Sequence, residues 1–267
     1  MMSPAEIQSA AQRLEQAELM RKQIGLLSLD YPEMSMSDAY AVQAALVKRK
    51  INAGRAIIGR KIGLTSKAMQ SALNIDVPDS GILFDDMLFA NHAIVPPDRF
   101  IQPRIEAELA FVMKRGLKGP GMTREQVLAA TGYVSPAIEI LDTRILRVDP
   151  LTKKTRNVFD TIADNAANAG IILGKQRINP ADTDLRWIGA IVMCNDLVEE
   201  TGLGAGVLND PVTAVAWLAD RLAEHGDEIR AGEIVLAGSF IRPVECNHGD
   251  RIVADFGPQG VVTCRFE

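Results

Sequence analysis

The stretch Arg104-Ile-Glu-Ala-Glu-Leu-Ala-Phe-Val-Met113 decides the fold, because it sets two acidic residues two positions apart in an otherwise apolar run. Pro103 precedes the run and Lys114-Arg115-Gly116 follows it, so its length and boundaries are typical of a β-strand. Successive side chains of a strand point to opposite faces, so Glu106 and Glu108 share one face and the other face is wholly apolar. We therefore predict a strand that is largely buried on both faces.

Two carboxylates on one face of a buried strand repel each other, and removing them from water is costly unless a cation lies between them. Glu139 is a third candidate, in the apolar run Val134-Ser-Pro-Ala-Ile-Glu-Ile-Leu141. Three oxygen ligands with no His or Cys nearby in the sequence suit Mg²⁺ or Mn²⁺ rather than structural zinc. Two interpretations stay open: a metal site on Glu106, Glu108 and Glu139, or solvated glutamates on an open sheet face.

Lys61 and Asp79 could carry chemistry beside such a site. Lys61 lies between two glycines in the apolar run Ala56-Ile-Ile-Gly-Arg-Lys-Ile-Gly63, where partial burial would lower its pKa. The alternative is a lysine on an edge strand that extends to solvent. Asp79, in Pro78-Asp-Ser-Gly81, has the composition of a turn, so it becomes a catalytic candidate only beside Lys61 and a metal.

The order of elements indicates an α+β protein with a small, mainly helical N-terminal region. From Val77 onward, short strand-like runs separated by proline and glycine replace the helical periodicity. We therefore predict a boundary near residue 75, between a helical region (residues 1–75) and a β-rich, metal-binding catalytic domain (residues 76–267). The predicted helices run from Ser3-Pro4 to Gly25, from Ser37 to Gly54, from Ser66 to Leu73, from Thr123 to about Gly132 and from Asp210 to Gly226.

Composition narrows the class of protein. The chain has 267 residues, a net charge of −5 and one short basic cluster at a predicted helix end, which argues against nucleic-acid binding. The N-terminus lacks the apolar segment of a signal peptide, no apolar run is long enough to span a bilayer, and the three cysteines are scattered. We therefore expect a cytoplasmic protein with a small-molecule partner and no nucleic-acid or membrane partner.

The sequence lacks the residue patterns of other common catalytic and cofactor-binding sites. Three scattered histidines give no basis for a Ser-His-Asp triad or a His-rich metal site. The run Thr201-Gly-Leu-Gly-Ala-Gly206 lacks the spacing of a dinucleotide-binding loop, so we predict a flexible loop there.

A set of motifs, taken together and in this order, resembles the fumarylacetoacetate hydrolase superfamily, and within it the hydratase and decarboxylase branch of aromatic meta-cleavage catabolism. The resemblance covers nearly the whole chain. It implies a small N-terminal region followed by a β-rich roll of mixed sheets, with Mg²⁺ or Mn²⁺ on Glu106, Glu108 and Glu139. The motifs are Gly59-Arg-Lys-Ile-Gly-Leu-Thr-Ser66, Pro78-Asp-Ser-Gly81, Glu106-Ala-Glu108, Ala137-Ile-Glu139, Asp160-Thr-Ile-Ala-Asp-Asn165, Gly204-Ala-Gly-Val-Leu208 and Ala237-Gly-Ser-Phe240.

The resemblance also implies a reaction, that of a hydro-lyase adding water to 2-oxo-hept-4-ene-1,7-dioate. Lys61 and Asp79 would transfer protons, and Ser239 would hydrogen-bond the substrate carboxylate, with a hydroxyl satisfied by its own loop as the alternative. Within the branch, hydration of 2-hydroxypenta-2,4-dienoate or decarboxylation of 4-oxalocrotonate are alternatives. Outside it, the alternative is a non-catalytic protein that binds a small molecule through a metal.

The remaining expectations concern the far end of the substrate and the assembly. The far carboxylate of a seven-carbon diacid needs a cation, and the sequence does not rank the arginine candidates. Members of the superfamily assemble as oligomers, so we expect a homo-oligomer. The arginine candidates are Arg104, Arg144, Arg147 and Arg242.

Overall fold

The computed structural model describes residues 1–67, 70 and 77–267. The predicted helix from Ser66 to Leu73 lies largely outside the described residues, and the predicted boundary near residue 75 lies wholly outside them. The division into residues 1–75 and 76–267 therefore stays a prediction. In chain order, the elements are α1 (Pro4–Met20), α2 (Leu27–Asp30), α3 (Met36–Asn52), β1 (Ile57–Gly63), β2 (Asp79–Phe84), β3 (Leu88–Phe89), β4 (Ala93–Val95), β5 (Arg104–Met113), α4 (Arg124–Ala130), β6 (Thr131–Leu141), α5 (Val158–Ala163), β7 (Asn168–Leu173), β8 (Gly189–Cys194), β9 (Leu197–Leu203), α6 (Pro211–Ala223), β10 (Ile234–Ser239), β11 (Val244–Glu245), β12 (Arg251–Asp255) and β13 (Val261–Phe266).

Helix α1 begins where the sequence predicts it and α3 begins one residue before its predicted start at Ser37, because capping side chains fix their first turns. Ser3 and Glu6 form a capping box at the start of α1, and Ser35 and Asp38 form another at the start of α3. The apolar faces of these helices share one buried cluster with Ile162 of α5. No helix in the described ranges has both the length and the apolar composition needed to cross a membrane.

The strands of the described residues form two mixed sheets. The larger has the strand order β2-β1-β10-β5-β6-β7-β3, with β11 paired to β5, and the smaller has the order β4-β13-β12-β8-β9. Three pairs are parallel, β1 with β10, β3 with β7 and β4 with β13, and the remaining pairs are antiparallel. The predicted α+β class with mixed sheets is confirmed.

Strand β5 lies at the centre of the larger sheet and has the bounds that the sequence predicts. Its Ile105, Leu109 and Phe111 enter the main core, which also contains side chains of the smaller sheet. On the opposite face, Ala110 packs in a second apolar cluster with residues of β2 and β10. The alternation therefore buries both faces and carries the two glutamates into the interior of the protein.

The glycine-rich run from Thr201 to Gly206 is not the flexible loop that we predicted. Its first residues end strand β9, and Gly204–Gly206 forms a 3₁₀ turn. A Cβ on Gly202 would lie 1.9 Å from the carbonyl oxygen of Phe240. The prediction was wrong because this glycine is required for close approach to a neighbouring backbone rather than for flexibility.

Candidate active site

The structure brings Glu106, Glu108 and Glu139 together at one point of the larger sheet. Strands β5 and β6 pair so that Glu106 lies directly opposite Glu139, with Glu108 two residues further along β5. One carboxylate oxygen of each residue lies within 4.8 Å of the others. Glu108 and Glu139 are fully buried, and Glu106 is partly exposed. The alternative of separate, solvated glutamates therefore does not describe this cluster.

In each of the two fully buried carboxylates, one oxygen accepts a hydrogen bond and the second oxygen has no partner among the described residues. The backbone N–H of Gly238 donates to Oε2 of Glu108 at 2.8 Å, and Nδ2 of Asn168 donates to Oε1 of Glu139 at 2.7 Å. Within the described ranges, Oε1 of Glu108 and Oε2 of Glu139 have no hydrogen-bond partner. Buried oxygens of this kind are costly unless they meet a cation or a proton.

The electrostatics of the cluster also favour a cation. Burial, and next the charge of Glu139, raise the pKa of Glu106 to about 8. Burial and both neighbouring carboxylates raise the pKa of Glu108 well above its usual range, and burial raises the pKa of Glu139 although Lys61 opposes the shift. A divalent ion would offset this repulsion, and a set of carboxylate oxygens is the chemistry that Mg²⁺, Mn²⁺ and Ca²⁺ prefer. The residues present therefore fit a hard divalent metal.

Lys61 lies beside the acidic cluster in an interior strand. Strand β1 runs between β2 and β10, so the alternative of an edge-strand lysine does not apply. The ammonium donates to the carbonyl oxygen of Ala166 at 3.0 Å and lies 3.4 Å from Oε1 of Glu139. Burial lowers the pKa of Lys61, but Glu139, Asp79 and the other two glutamates raise it by more, so the net shift is upward. This direction is opposite to the predicted fall, because burial comes with four carboxylates.

Asp79 lies in strand β2 rather than in the turn that its sequence context suggests. It pairs with Gly63 of β1, is buried, and its Oδ1 has no hydrogen-bond partner in the described part of the chain. A Cβ on Gly63 would lie 2.2 Å from that oxygen and 3.0 Å from Nζ of Lys61. Burial raises the pKa of Asp79, and Lys61 partly offsets the shift. The lack of a side chain on Gly63 therefore leaves room for both the Asp79 carboxylate and the Lys61 ammonium.

The turn from Asn165 to Asn168 completes this arrangement. Asn165, Ala166 and Ala167 all have left-handed backbone angles, with φ of 53°, 52° and 59°, which is unusual for residues with side chains. The turn directs the carbonyl of Ala166 to Lys61 and is followed by Asn168, which holds Glu139. The Asn165 side chain accepts a hydrogen bond from the backbone N–H of Ile82 and donates one to its carbonyl oxygen, and these two bonds fix the turn against β2.

Ser239 lines the same space, but its hydroxyl is engaged within its own loop. Its Oγ donates to the carbonyl oxygen of Ile241 at 2.8 Å and accepts from the N–H of Ile241 at 3.2 Å. This is the satisfied loop hydroxyl that the sequence left as an alternative. Its predicted bond to the substrate carboxylate stays a prediction.

A cavity of about 230 Å³ opens beside these groups. Its polar wall includes Lys61, Asp79, Glu106 and Ser239. The apolar Leu141, Ile241 and Pro243 also contribute to its wall. A small organic acid could therefore contact the acidic cluster and the lysine at once.

The likeness of the chain to known proteins extends over its full length. No protein-family model matches it. It is 54% identical over 256 residues to the 2-oxo-hept-4-ene-1,7-dioate hydratase of Escherichia coli, and the match covers 96% of each protein. It is 38% identical over 266 residues to a 2-keto-4-pentenoate hydratase of Paraburkholderia xenovorans (strain LB400), covering 100% of this chain and 97% of that protein. The chain belongs to the family that contains these hydratases and the 4-oxalocrotonate decarboxylases, and it shares the fumarylacetoacetate hydrolase fold.

A solved member of this family has the same fold throughout. The 4-oxalocrotonate decarboxylase from Pseudomonas putida G7, complexed with magnesium and adipate, superposes with a TM-score of 0.94 at 34% identity, over 100% of this chain and 99% of that one. The predicted family and fold are thereby confirmed, as is the prediction of an enzyme, because these relatives are hydratases and a decarboxylase. The magnesium in that relative and the acidic cluster here support a divalent metal in this chain.

Proposed function

We propose that the protein is a metal-dependent hydratase acting on 2-oxo-hept-4-ene-1,7-dioate. The substrate would enter as its dienol tautomer, 2-hydroxyhepta-2,4-dienedioate, and leave as 4-hydroxy-2-oxoheptane-1,7-dioate. The observation that carries this proposal is the 54% identity, over nearly the full length, to the hydratase named for that substrate. Two carboxylate oxygens that have no hydrogen-bond partner among the described residues, beside a buried lysine, support the reaction class.

The metal site is proposed to consist of Glu106, Glu108 and Glu139. The ion is proposed to be Mg²⁺, with Mn²⁺ as the alternative, because the ligand set is entirely carboxylate oxygen. When bound, it would supply Lewis-acid polarisation of the oxygens at the 1-carboxylate end of the substrate. The hydrogen bonds from Gly238 and Asn168 hold two of the three carboxylates in place before any ligand arrives.

Lys61 and Asp79 are proposed to move the protons. Conversion of the dienol to the conjugated ketone removes the proton of the 2-hydroxyl and adds one at C5 of the chain. Lys61, whose side-chain nitrogen donates to the carbonyl oxygen of Ala166, is proposed as the proton donor, and Asp79, on the wall of the same cavity, is proposed as the acceptor. Water then adds across the C3–C4 bond, with the hydroxyl at C4 and the proton at C3.

Ser239 is proposed to contact the substrate carboxylate from the last position of β10. To donate to a carboxylate, its hydroxyl must give up the 2.8 Å bond to the carbonyl oxygen of Ile241. The net gain is therefore small, because one hydrogen bond replaces another. We expect a weaker contribution from Ser239 than from Lys61.

A homo-oligomer is proposed from the outer surface of the smaller sheet. Trp187, Ile191 and Leu203 line one groove on this sheet and are 73%, 46% and 44% exposed. Exposed apolar side chains that share one surface groove favour contact with a second copy. Light scattering coupled to size-exclusion chromatography would measure the mass; a single-chain mass at micromolar concentration would contradict the proposal.

The test of the proposed function follows the loss of dienol absorbance with Mg²⁺ and then with EDTA, and identifies the product by NMR. We expect rapid loss with Mg²⁺, none above background with EDTA, and a 4-hydroxy-2-oxo diacid as product. The Glu106→Gln variant, measured in the same buffers, should behave like the EDTA sample. Release of carbon dioxide would instead assign the decarboxylase reaction, and metal-independent turnover would contradict the proposed site.

A further inference from the structure

The cavity beside the acidic cluster is lined by a second cation, Arg156. Among the described residues of its wall, only Lys61 and Arg156 are cationic. The Lys61 ammonium already pairs with Glu139 and donates a hydrogen bond to the carbonyl oxygen of Ala166. Arg156 lies in the segment before α5, where its backbone N–H donates to the carbonyl oxygen of Arg147 at 2.9 Å. Arg156 is therefore held in position by its backbone, independently of its side chain.

The guanidinium of Arg156 lacks an anionic partner within the part of the chain that the structure describes. Its Nη1 is buried and makes no hydrogen bond there, and the side chain forms no ion pair with any described residue. Burial lowers the pKa of Arg156; Asp164 opposes this shift, and Arg104 and Arg144 add to it. Because a buried donor without an acceptor is costly, this site favours an incoming anion.

Each of the four arginines suggested by the sequence already pairs with a carboxylate of the protein. Arg144 is buried against Asp164, with Nε 2.5 Å from Oδ1. Arg104 and Arg147 both pair with Glu245, and Arg242 pairs with Glu200 at the surface. None of the four lines the cavity that contains Lys61. The sequence could not exclude them, because each ion pair joins residues far apart in the chain.

We infer that Arg156 binds the far carboxylate of the substrate and so selects diacids over monoacids. This inference rests on the proposed function, because it assumes that the 2-oxo acid end lies at the acidic cluster. The planar guanidinium can form two parallel hydrogen bonds to a carboxylate, which fixes both the orientation and the length of the ligand. Asn157 and Thr161 add polar groups to the same wall.

The test measures binding rather than turnover, with two saturated probes of equal length. 2-Oxoheptanedioate carries the far carboxylate and 2-oxoheptanoate lacks it, and calorimetry in excess Mg²⁺ gives both dissociation constants. The wild-type protein should bind the diacid about 10- to 100-fold more tightly, as expected for one charge-assisted pair. In Arg156→Met this preference should disappear while the affinity for the monoacid stays within about twofold of wild type.

Two further variants complete the design. Arg156→Lys keeps the charge but not the two-pronged geometry, so it should retain a reduced preference; it also serves if Arg156→Met does not fold. Arg147→Met is the matched control and should keep the full preference, because Arg147 pairs with Glu245 outside this cavity.

The outcomes separate the inference from the proposed function. An unchanged diacid preference in Arg156→Met or Arg156→Lys would overturn the inference, as would a loss of the preference in Arg147→Met alone or equal weakening of both probes. No preference in the wild-type protein would do the same. If the wild type fails to hydrate the seven-carbon dienol but shows the Arg156-dependent preference, the proposed reaction is wrong and the carboxylate site stands.

Discussion

Removing the divalent metal should make the folded protein progressively less stable as the pH rises. The pKa of Glu106 is raised from 4.5 to about 8 in the folded chain, so between these values the folded state keeps a proton that the unfolded state has lost. The stabilising effect is full below about pH 4.5 and is lost as the pH rises to 8. At about 1.4 kcal/mol per pKa unit, the free energy of unfolding should fall by about 5 kcal/mol over this interval for Glu106 alone.

Urea unfolding at pH 5, 6, 7 and 8, at fixed protein concentration, measures this effect. The free energy of unfolding should decrease more steeply with pH in EDTA than in saturating MgCl₂. In MgCl₂ the bound ion takes the place of the proton on the carboxylate cluster. Asp164, whose pKa burial raises to about 6, contributes equally to both curves and cancels in their difference. Glu106→Gln in EDTA should show a shallower fall. If the EDTA and MgCl₂ curves of the wild-type protein run parallel, the carboxylates do not share a metal and the reasoning is refuted.

Three substitutions test the groups around the ion. Lys61→Ala should keep Mg²⁺ binding but lower kcat by about 10²- to 10⁴-fold, since it removes the proton donor; unchanged steady-state turnover would contradict this role. Asn168→Ala should weaken Mg²⁺ about 10- to 100-fold by calorimetry, because Glu139 loses its 2.7 Å hydrogen bond; wild-type affinity would exclude that support. Gly238→Ala should lower the free energy of unfolding by about 1–3 kcal/mol, because φ is 113° and the new Cβ would lie 2.3 Å from Oγ1 of Thr65; an unchanged urea midpoint would show that the backbone adapts.

Local patterns in the sequence predicted the parts of the fold that local physics determines. The alternation in β5 defined its bounds and the shared face of Glu106 and Glu108, because side-chain direction in a strand depends only on neighbouring residues. Ser3 and Pro4 similarly predicted the start of α1, whereas α3 begins at Met36, one residue before its predicted start, because Ser35 is the cap. Local patterns could not predict that Glu139 lies opposite Glu106, because the register between β5 and β6 depends on the packing of both strands.

The groups that complete the site depend on contacts between distant parts of the chain, and local patterns do not encode those. Gly238 reaches Glu108 across 130 positions, and Asn168 reaches Glu139 across 29. Lys61 was predicted to have a lowered pKa because its neighbours in sequence are apolar, but its neighbours in space are carboxylates. Arg156 gave no signal at all, since its position on the cavity follows from the path of the segment before α5.

The measurement that tests the central claim most directly is the number of divalent ions bound per chain. Equilibrium dialysis against Mn²⁺ would compare wild type with Glu139→Gln, and Glu224→Gln would be the matched control because that glutamate pairs only with Arg221 at the surface among the described residues. We expect one ion per chain in wild type and in the control, and an affinity lowered by more than about 100-fold in Glu139→Gln, which should remain folded. A folded Glu139→Gln protein that binds Mn²⁺ as tightly as wild type would contradict the claim that the three glutamates hold the metal.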